Sequence, residues 1–278
     1  MIPKNGRRSI AVLIAVYSKD DPERFARAMN SVLQQVLPEQ VELRILLGID
    51  GELPERLASV VVSFQSKLTQ CTSSPANLGL APTLNSLLKG LTDEELIFRM
   101  DADDYSHPER FSRQMAFMDL HPDIDILGTA MLEVDAQGRS RVVRYAPTNS
   151  NIRRSIAWRA PVAHPTVCFR RRVFDSVGEY PPDLMNEDIA LWFRCLALDL
   201  KFANLEEPLY EFRIDDRFWS RRGKDRALVE LRAFSDGLRR LEGNTWRQIF
   251  PLLRFLFRLM PEWTRRLGYA LRADRRAD

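Results

Sequence analysis

The chain has 278 residues, 45% apolar and 28% charged, a globular balance that excludes a disordered or collagen-like chain. That length can bury a full core without disulfide or metal staples. The net charge of +3 hides an asymmetry: from Arg213 onward there are 17 basic and 9 acidic residues, which directs attention to an anionic surface or ligand near the carboxyl-terminal part.

Met1 to Arg8 is basic, but the apolar run that follows it, Ser9 to Ser18, is short and has no small-residue cleavage site behind it. It reads as a first strand rather than a signal peptide. No run of about 18 apolar residues occurs, so no spanning helix is expected, and the expected address is the cytoplasm. Cys71, Cys168 and Cys195 are odd in number and lack Cys-x-x-Cys spacing, so they read as buried small apolar groups in a reducing compartment.

Ile10–Val16 is a continuous apolar run, the mark of a strand buried on both faces. Asp21 then offers an N-cap and Pro22 a first helical residue, with Phe25, Met29, Val32, Leu33 and Val36 at helical spacing. Val41–Ile49 reads as a second strand and Pro54–Lys67 as a second helix. After a polar loop, Pro82 opens a third helix, and Leu96–Met100 is a third buried strand running straight into Asp101-Ala102-Asp103-Asp104.

Strands alternating with short helices predict βαβ units and a parallel sheet, whose ligands collect at the carboxyl ends of the strands; Asp50 and Asp101 both fall there. Downstream, Ile124–Val134 and Arg139–Tyr145 flank a hairpin turn. Val162–Arg170 reads as a strand, Asp188–Leu198 as a helix, Lys201–Ile214 as extended and Lys224–Leu241 as a charged helix.

Asp101 and Asp103 repel one another at the end of a buried strand unless a cation joins them. Mg²⁺ or Mn²⁺ suits carboxylate oxygen and leaves positions for phosphate; the alternative is a solvated acidic turn capping the helix that follows. Asn77 and Gly79 lie at a loop-to-helix junction, where free N–H groups can meet an anion or the loop can be an ordinary cap. Glu187 and Asp188 open a helix, either compensating its dipole or placing one acid in a cleft as a general base. His107, His121 and His164 form no zinc-site spacing; His164 reads as packing. Arg221 and Arg222 suit phosphates or a solvated basic turn.

At 100° per residue Arg247, Arg254, Arg258, Arg265 and Arg272 fall within about 20° of one helical azimuth, opposite Leu252, Leu256, Leu259, Trp263 and Leu267. Pro251 and Pro261 break this stretch into short helices. The pattern fits an interfacial membrane helix, or a helix docked on the domain with its arginines in water.

Taken together and in order, Ala15-Val16-Tyr17, Asn77-Leu78-Gly79-Leu80, Arg99 to Asp104, Ala163 to Thr166, Asn186-Glu187-Asp188 and Phe212-Arg213 through Arg222 resemble the inverting glycosyltransferases of family 2. The likeness is strongest to bacterial exopolysaccharide enzymes of the amylovoran-biosynthesis type. The resemblance, over about Ser9 to Gly223, implies an α/β GT-A nucleotide-diphospho-sugar transferase fold, with a Rossmann-like, mostly parallel central sheet flanked by helices. The expected division is a catalytic domain at 1–223 and a basic amphipathic helical extension at 224–278.

By the same resemblance, Ala15, Val16 and Tyr17 line the nucleotide pocket and Asp50 faces the base. Asp101 lies by the ribose and metal, Asp103 is the main ligand of Mn²⁺ or Mg²⁺, and Asp188 deprotonates the acceptor. The chain departs from many relatives in carrying one acid, Asp50, where they have two, and Asp215 in place of a histidine metal ligand. It also lacks Gln-x-x-Arg-Trp and membrane spans, which implies transfer of a single sugar.

The expected activity moves a sugar from a nucleotide-diphosphate donor to a lipid-linked saccharide acceptor in cell-surface polysaccharide synthesis. The enzyme would sit at the anionic inner face of the cytoplasmic membrane through its basic C-terminal helices, with no nucleic-acid partner. A haloacid-dehalogenase-like phosphotransferase with Asp101 as nucleophile, and a non-catalytic membrane-surface binding protein, are the rival readings.

Overall fold

Strand β1 (Arg8–Tyr17) is the axis of the computed structural model, which describes residues 7–181, 186–214, 224–260 and 264. It runs parallel to β2 (Val41–Asp50) on one side and β4 (Leu96–Asp101) on the other. Its residues Ile10 to Ile14 are all at most 1% exposed, so both faces are covered, as the unbroken apolar run requires. Beyond β2 lies β3 (Gln70–Ser74). The sequence reading placed a loop there, because Gln70-Cys71-Thr72-Ser73-Ser74 has no apolar run; its backbone pairs at the sheet edge instead.

Beyond β4 the sheet becomes mixed. The strands β5 (Tyr105–Ser106), β6 (Ile126–Asp135), β7 (Ser140–Val143), β8 (Cys168–Arg170) and β9 (Phe202–Ile214) complete it in the order β3-β2-β1-β4-β8-β6-β9-β5, with β7 paired to β6 as the expected hairpin. Val162–Arg170, expected as one strand, resolves into a 3₁₀ turn at His164–Thr166 and the short β8. Pro165 removes a ladder donor there.

Helices α1 (Pro22–Leu33), α2 (Glu55–Ser63) and α4 (Arg110–Leu120) cover one face, burying Phe25, Met29, Leu57 and Phe111 against Ile10, Val12 and Ile14. Between them in sequence lies α3 (Leu80–Leu88). As expected, Asp21 caps α1, its Oδ1 accepting from the N–H groups of Glu23 and Arg24 at 3.0 Å. The opposite face is covered by α3, α6 (Arg171–Val177) and α7 (Glu187–Ala197), with the fully buried Trp192 at its centre; α5 (Asn149–Ser155) adds Ile152 to this layer. Cys168 and Cys195 are buried in these layers and Cys71 is half-buried, all three as free thiols.

The carboxyl-terminal helices α8 (Lys224–Glu242) and α9 (Ile249–Leu259) follow. Phe234 and Leu238 of α8 belong to the same apolar cluster as Trp192 and Phe193. A Cβ on Gly237 would lie 2.2 Å from the Phe193 ring, so only glycine lets α8 approach α7 so closely. Among the described residues no helix is long and apolar enough to cross a membrane.

The expectation for the arginine stripe is corrected. Arg247, Arg254 and Arg258, 18–28% exposed, turn inward and pair with Glu242 and Glu230. Arg221, Arg222, Asp215, Arg265 and Arg272 lie outside the described residues.

Candidate active site

The parallel strands end level with one another. Register pairs Ala15 with Asp101 and Tyr17 with Asp50, so three adjacent strands deliver Ala15, Tyr17, Asp50 and Asp101 to one edge. Val16 is 1% exposed and turned into the layer of α1 and α2. What it offers the edge is therefore backbone, since successive side chains of a strand alternate between faces.

Asp50 is buried, and both its oxygens are engaged: Oδ1 accepts from the Leu78 N–H at 2.6 Å and Oδ2 from the Gly79 N–H at 2.9 Å. The anion met by the loop at Asn77–Gly79 is thus the protein's own carboxylate. Gly51 follows at φ +85°, where a Cβ would meet the Asn77 nitrogen at 3.0 Å, so the turn after β2 and the loop before α3 interlock. Asp50→Ala leaves two N–H groups without acceptors and should cost about 1–3 kcal/mol by denaturant unfolding. Hydrogen exchange should show faster amide exchange at Leu78 and Gly79.

The acidic turn after β4 is organised from below by groups the sequence reading passed over. Arg99, two residues before Asp101 and on the same face, is 3% exposed and forms an ion pair with the Asp101 carboxylate, which is 30% exposed. Asp101 therefore already has one cationic partner within the protein. Burial works against the Arg99 charge, but Asp101 with Tyr210 and Tyr180 outweighs it and holds the guanidinium protonated. The Asp101 N–H donates to the Tyr210 hydroxyl at 3.1 Å. Beneath them Arg110, fully buried, donates to the Arg99 carbonyl at 2.9 Å and lies 5.0 Å over the Tyr210 ring.

Asp104 is 3% exposed. Its Oδ1 accepts from the Arg213 N–H at 3.1 Å, and the Tyr210 hydroxyl lies within hydrogen-bonding reach of the same carboxyl. Burial first, then the carboxylates of Asp101 and Asp103, push it well above the usual carboxylate range.

Among the described residues no three acidic, histidine or cysteine side chains converge as a closed metal cage. A partly exposed Asp103, two residues beyond the 30% exposed Asp101, fits a different site: one or two carboxylates holding Mg²⁺ or Mn²⁺, with waters and substrate phosphates completing the octahedron.

The first turn of α7 brings the second acidic group to the same place. Glu187 and Asp188 are partly buried. Burial, and for Glu187 the adjacent Asp188 charge, raise both carboxyls, Glu187 to about 7. Arg99 lies near enough to oppose both shifts, and Asp101 near enough to add to that of Glu187. Arg99 therefore lies close to both the Asp101 carboxylate and the Glu187–Asp188 pair.

Asn85 of α3 clamps the approach to α7. Its amide donates to the Tyr180 carbonyl and accepts from the Tyr180 N–H, both at 2.8 Å. The Tyr180 hydroxyl meets His164 Nε2 at 3.0 Å. Burial and then Arg99 hold that imidazole neutral, which fits the packing role expected of it.

In the sequence reading Arg99 was only the first residue of the run to Asp104, with no role; the signal for one was a charged residue inside an otherwise apolar strand, where a burial cost demands a partner. A cleft of about 240 Å³ between α3 and α6, lined by Asn85, Lys89, Arg171, Asp175 and Glu179 among others, includes none of Arg99, Asp101, Asp103, Glu187 and Asp188.

Comparison with known proteins identifies the family and the fold. The family model described as Glycosyl transferase family 2 matches residues 11–178. The amylovoran biosynthesis glycosyltransferase AmsE of Erwinia amylovora is 32% identical over 254 residues, covering 90% of this chain and 94% of that protein. The UDP-Gal:alpha-D-GlcNAc-diphosphoundecaprenol beta-1,3-galactosyltransferase of Escherichia coli is 29% identical over 80% of this chain and 81% of its own length.

Among solved structures, the mannosyltransferase PcManGT from Pyrobaculum calidifontis, in complex with GDP-Man and Mn²⁺, superposes with a TM-score of 0.64 at 15% identity, over 98% of this chain and 76% of that one. S. aureus TarS 1-349 in complex with UDP-GlcNAc does so at 0.61 and 18%, over 92% and 82%. These likenesses show the expected GT-A fold.

Proposed function

The chain belongs to glycosyl transferase family 2, and from that premise we propose that it transfers one sugar, with inversion, from a nucleotide-diphosphate donor to a lipid-linked saccharide acceptor. The observation that carries this reading is the approach of Asp101, Glu187 and Asp188 to Arg99 at the carboxyl ends of parallel strands, with Asp103 two residues beyond Asp101. A donor-holding acidic turn and a base with a raised pKa face a common centre.

In this reading Ala15, the Val16 backbone and Tyr17 bound the nucleotide, with Asp50 holding the Asn77–Gly79 loop against it. Asp103, with Asp101, holds Mg²⁺ or Mn²⁺, which when bound neutralises charge on the departing diphosphate. Arg221 and Arg222 are proposed for the phosphates. Asp188 takes the proton of the acceptor hydroxyl as its oxygen forms the new bond to the anomeric carbon. The bond to the diphosphate breaks with its electron pair leaving on oxygen, so the configuration inverts.

The acceptor class rests on the diphosphoundecaprenol named for the E. coli relative, and the exopolysaccharide setting on the amylovoran enzyme. A lipid-linked acceptor places the enzyme at the cytoplasmic face of a membrane, with residues 224–278 as the extension that meets it. Family membership leaves the phosphotransferase reading without support.

The test is thermal unfolding with nucleotide diphosphates and their sugars, with and without Mn²⁺. A bound ligand at a hundredfold excess over Kd adds about 2.7 kcal/mol. Asp103→Ala should remove the metal-dependent part of the shift and leave unfolding without ligand nearly unchanged. The absence of a metal-dependent shift with every nucleotide would overturn the reading.

A further inference from the structure

The amphipathic helix α9 is mounted with its charges facing the protein. Arg254 and Arg258 both pair with Glu230 of α8, Arg258 at 2.5 Å, and Glu230 is 8% exposed. Arg254 also donates to the Trp158 carbonyl at 2.8 Å and lies 5.0 Å over the Phe234 ring. Arg247 pairs with Glu242 and donates to the Arg154 carbonyl at 2.7 Å. These three arginines are therefore engaged by buried or half-buried partners.

Half a turn around the helix the surface is apolar and open. Ile249, Leu252, Leu253, Leu256, Leu259 and Met260 are each 40–50% exposed, and Trp246, just before the helix, is 75% exposed. At 100° per residue they lie on the side opposite Arg254 and Arg258. A soluble surface helix shows the reverse arrangement, polar outward, and a contiguous exposed apolar patch marks an interaction site.

We propose that this face of α9 inserts into the acyl boundary of a lipid bilayer, and that apolar burial rather than arginine–headgroup attraction holds the enzyme there. Charge complementarity selects the occupant: the face carries no charge for an anionic or cationic partner to meet, so its complement is hydrocarbon. Area argues against a second copy. A helix of 11 residues is about 16 Å long and 10–12 Å across, which gives a few hundred Å² per partner against roughly 800 Å² in a standard interface.

The segment 261–278 that follows carries five arginines (Arg265, Arg266, Arg272, Arg275 and Arg276) against three acids. That composition suits the headgroup layer beside an inserted helix better than the apolar face itself. The proposal deepens the membrane-facing role given to 224–278 above and rests on that reading for its biological setting. Its test does not, because vesicle binding needs neither donor nor acceptor.

The experiment is co-sedimentation of the full chain with vesicles of neutral phosphatidylcholine and with vesicles containing anionic lipid, at low salt and at about 0.5 M salt, where charges are screened within a few ångströms. Expected are binding to neutral vesicles, less than threefold loss of that binding at high salt, and at least roughly tenfold weaker partitioning for the double variant Leu253→Asp, Leu256→Asp. Both substituted side chains are exposed, so thermal unfolding of the variant should match that of the parent.

Binding confined to anionic vesicles and abolished by salt would overturn the proposal in favour of an electrostatic tail. Failure to bind any vesicle together with a dimer on light scattering would overturn it in favour of a second copy. Tighter vesicle binding after deletion of 261–278 would also overturn it, by showing that this segment covers the face.

Discussion

Asp188→Asn lowers turnover by about 10³-fold while leaving donor affinity within about twofold. A positioned general base contributes roughly 10²–10⁴ in rate, and the amide has the same shape and cannot take the proton. The substitution also has a stability signature that separates it from simple damage. Burial raises both Glu187 and Asp188, and the Asp188 charge adds to the shift of Glu187, which goes from 4.5 to about 7. Carboxyls raised in the folded state bind more protons there than in the unfolded chain. Their contribution to stability is therefore complete below the unfolded value and is lost as pH rises towards 7.

Above pH 7 the parent carries two repelling, partly buried carboxylates, and Asp188→Asn removes one of them. The variant should therefore melt no lower than the parent at pH 8, and higher if the like-charge term dominates, while activity falls. Losing a neighbouring negative charge lowers the Glu187 pKa, so any residual activity should keep its acid limb at lower pH than the parent. A full-rate Asp188→Asn variant would exclude Asp188 as the base. Two measurements decide the matter: initial rates across pH 5.5–8.5, a range of about a unit and a half either side of the Glu187 value, and differential scanning calorimetry.

The parts of this protein that were legible in its sequence are those where one physical signal dominates. Continuous apolar runs became β1, β2 and β4 because covering helices demand two apolar faces. Asp21-Pro22 became a cap because both residues fit only one position there. The strand-end positions of Asp50 and Asp101 could be read because parallel βαβ units bring strand ends to one edge.

What stayed hidden depends on which partner a side chain finds in space. β3 has no apolar pattern and exists through backbone pairing alone. The azimuth of the arginine stripe was correctly read, but an azimuth cannot tell inside from outside. Glu230, 24 residues before Arg254, supplies the buried counter-charge that turns the arginines inward. Asp50 showed the same limit: its strand-end position was readable, its engagement by Leu78 and Gly79 was not.

Arg99→Met separates activity from stability most sharply. The Arg99 guanidinium is 3% exposed and its Nε has no hydrogen-bond partner, so the fold bears a desolvated cation that its single ion pair does not fully satisfy. Removing one partner of a buried ion pair is costly when the other is left buried and uncompensated, but the partner left here, Asp101, is 30% exposed and can recover water. Unfolding free energy should therefore change by less than about 1 kcal/mol in either direction.

Catalysis should not be so tolerant of this change. Without Arg99, Asp101 loses the group that fixes its carboxylate, and Glu187 and Asp188 lose the cation that opposes their upward shift. Their pKa values then rise further, a smaller fraction of the base is ionised at neutral pH, and the acid limb of the rate profile moves to higher pH. A loss of about 10²–10³ in kcat/KM is expected, the scale of removing one preorganised electrostatic group from an active site. Arg99→Lys keeps the charge but not the planar fork. It should restore the position of the acid limb while leaving donor affinity weak, because a point charge cannot hold the Asp101 carboxylate in one orientation. If Arg99→Met lost stability and activity together, with an unshifted pH profile, Arg99 would be a packing residue and the electrostatic link between the two acidic groups would be wrong.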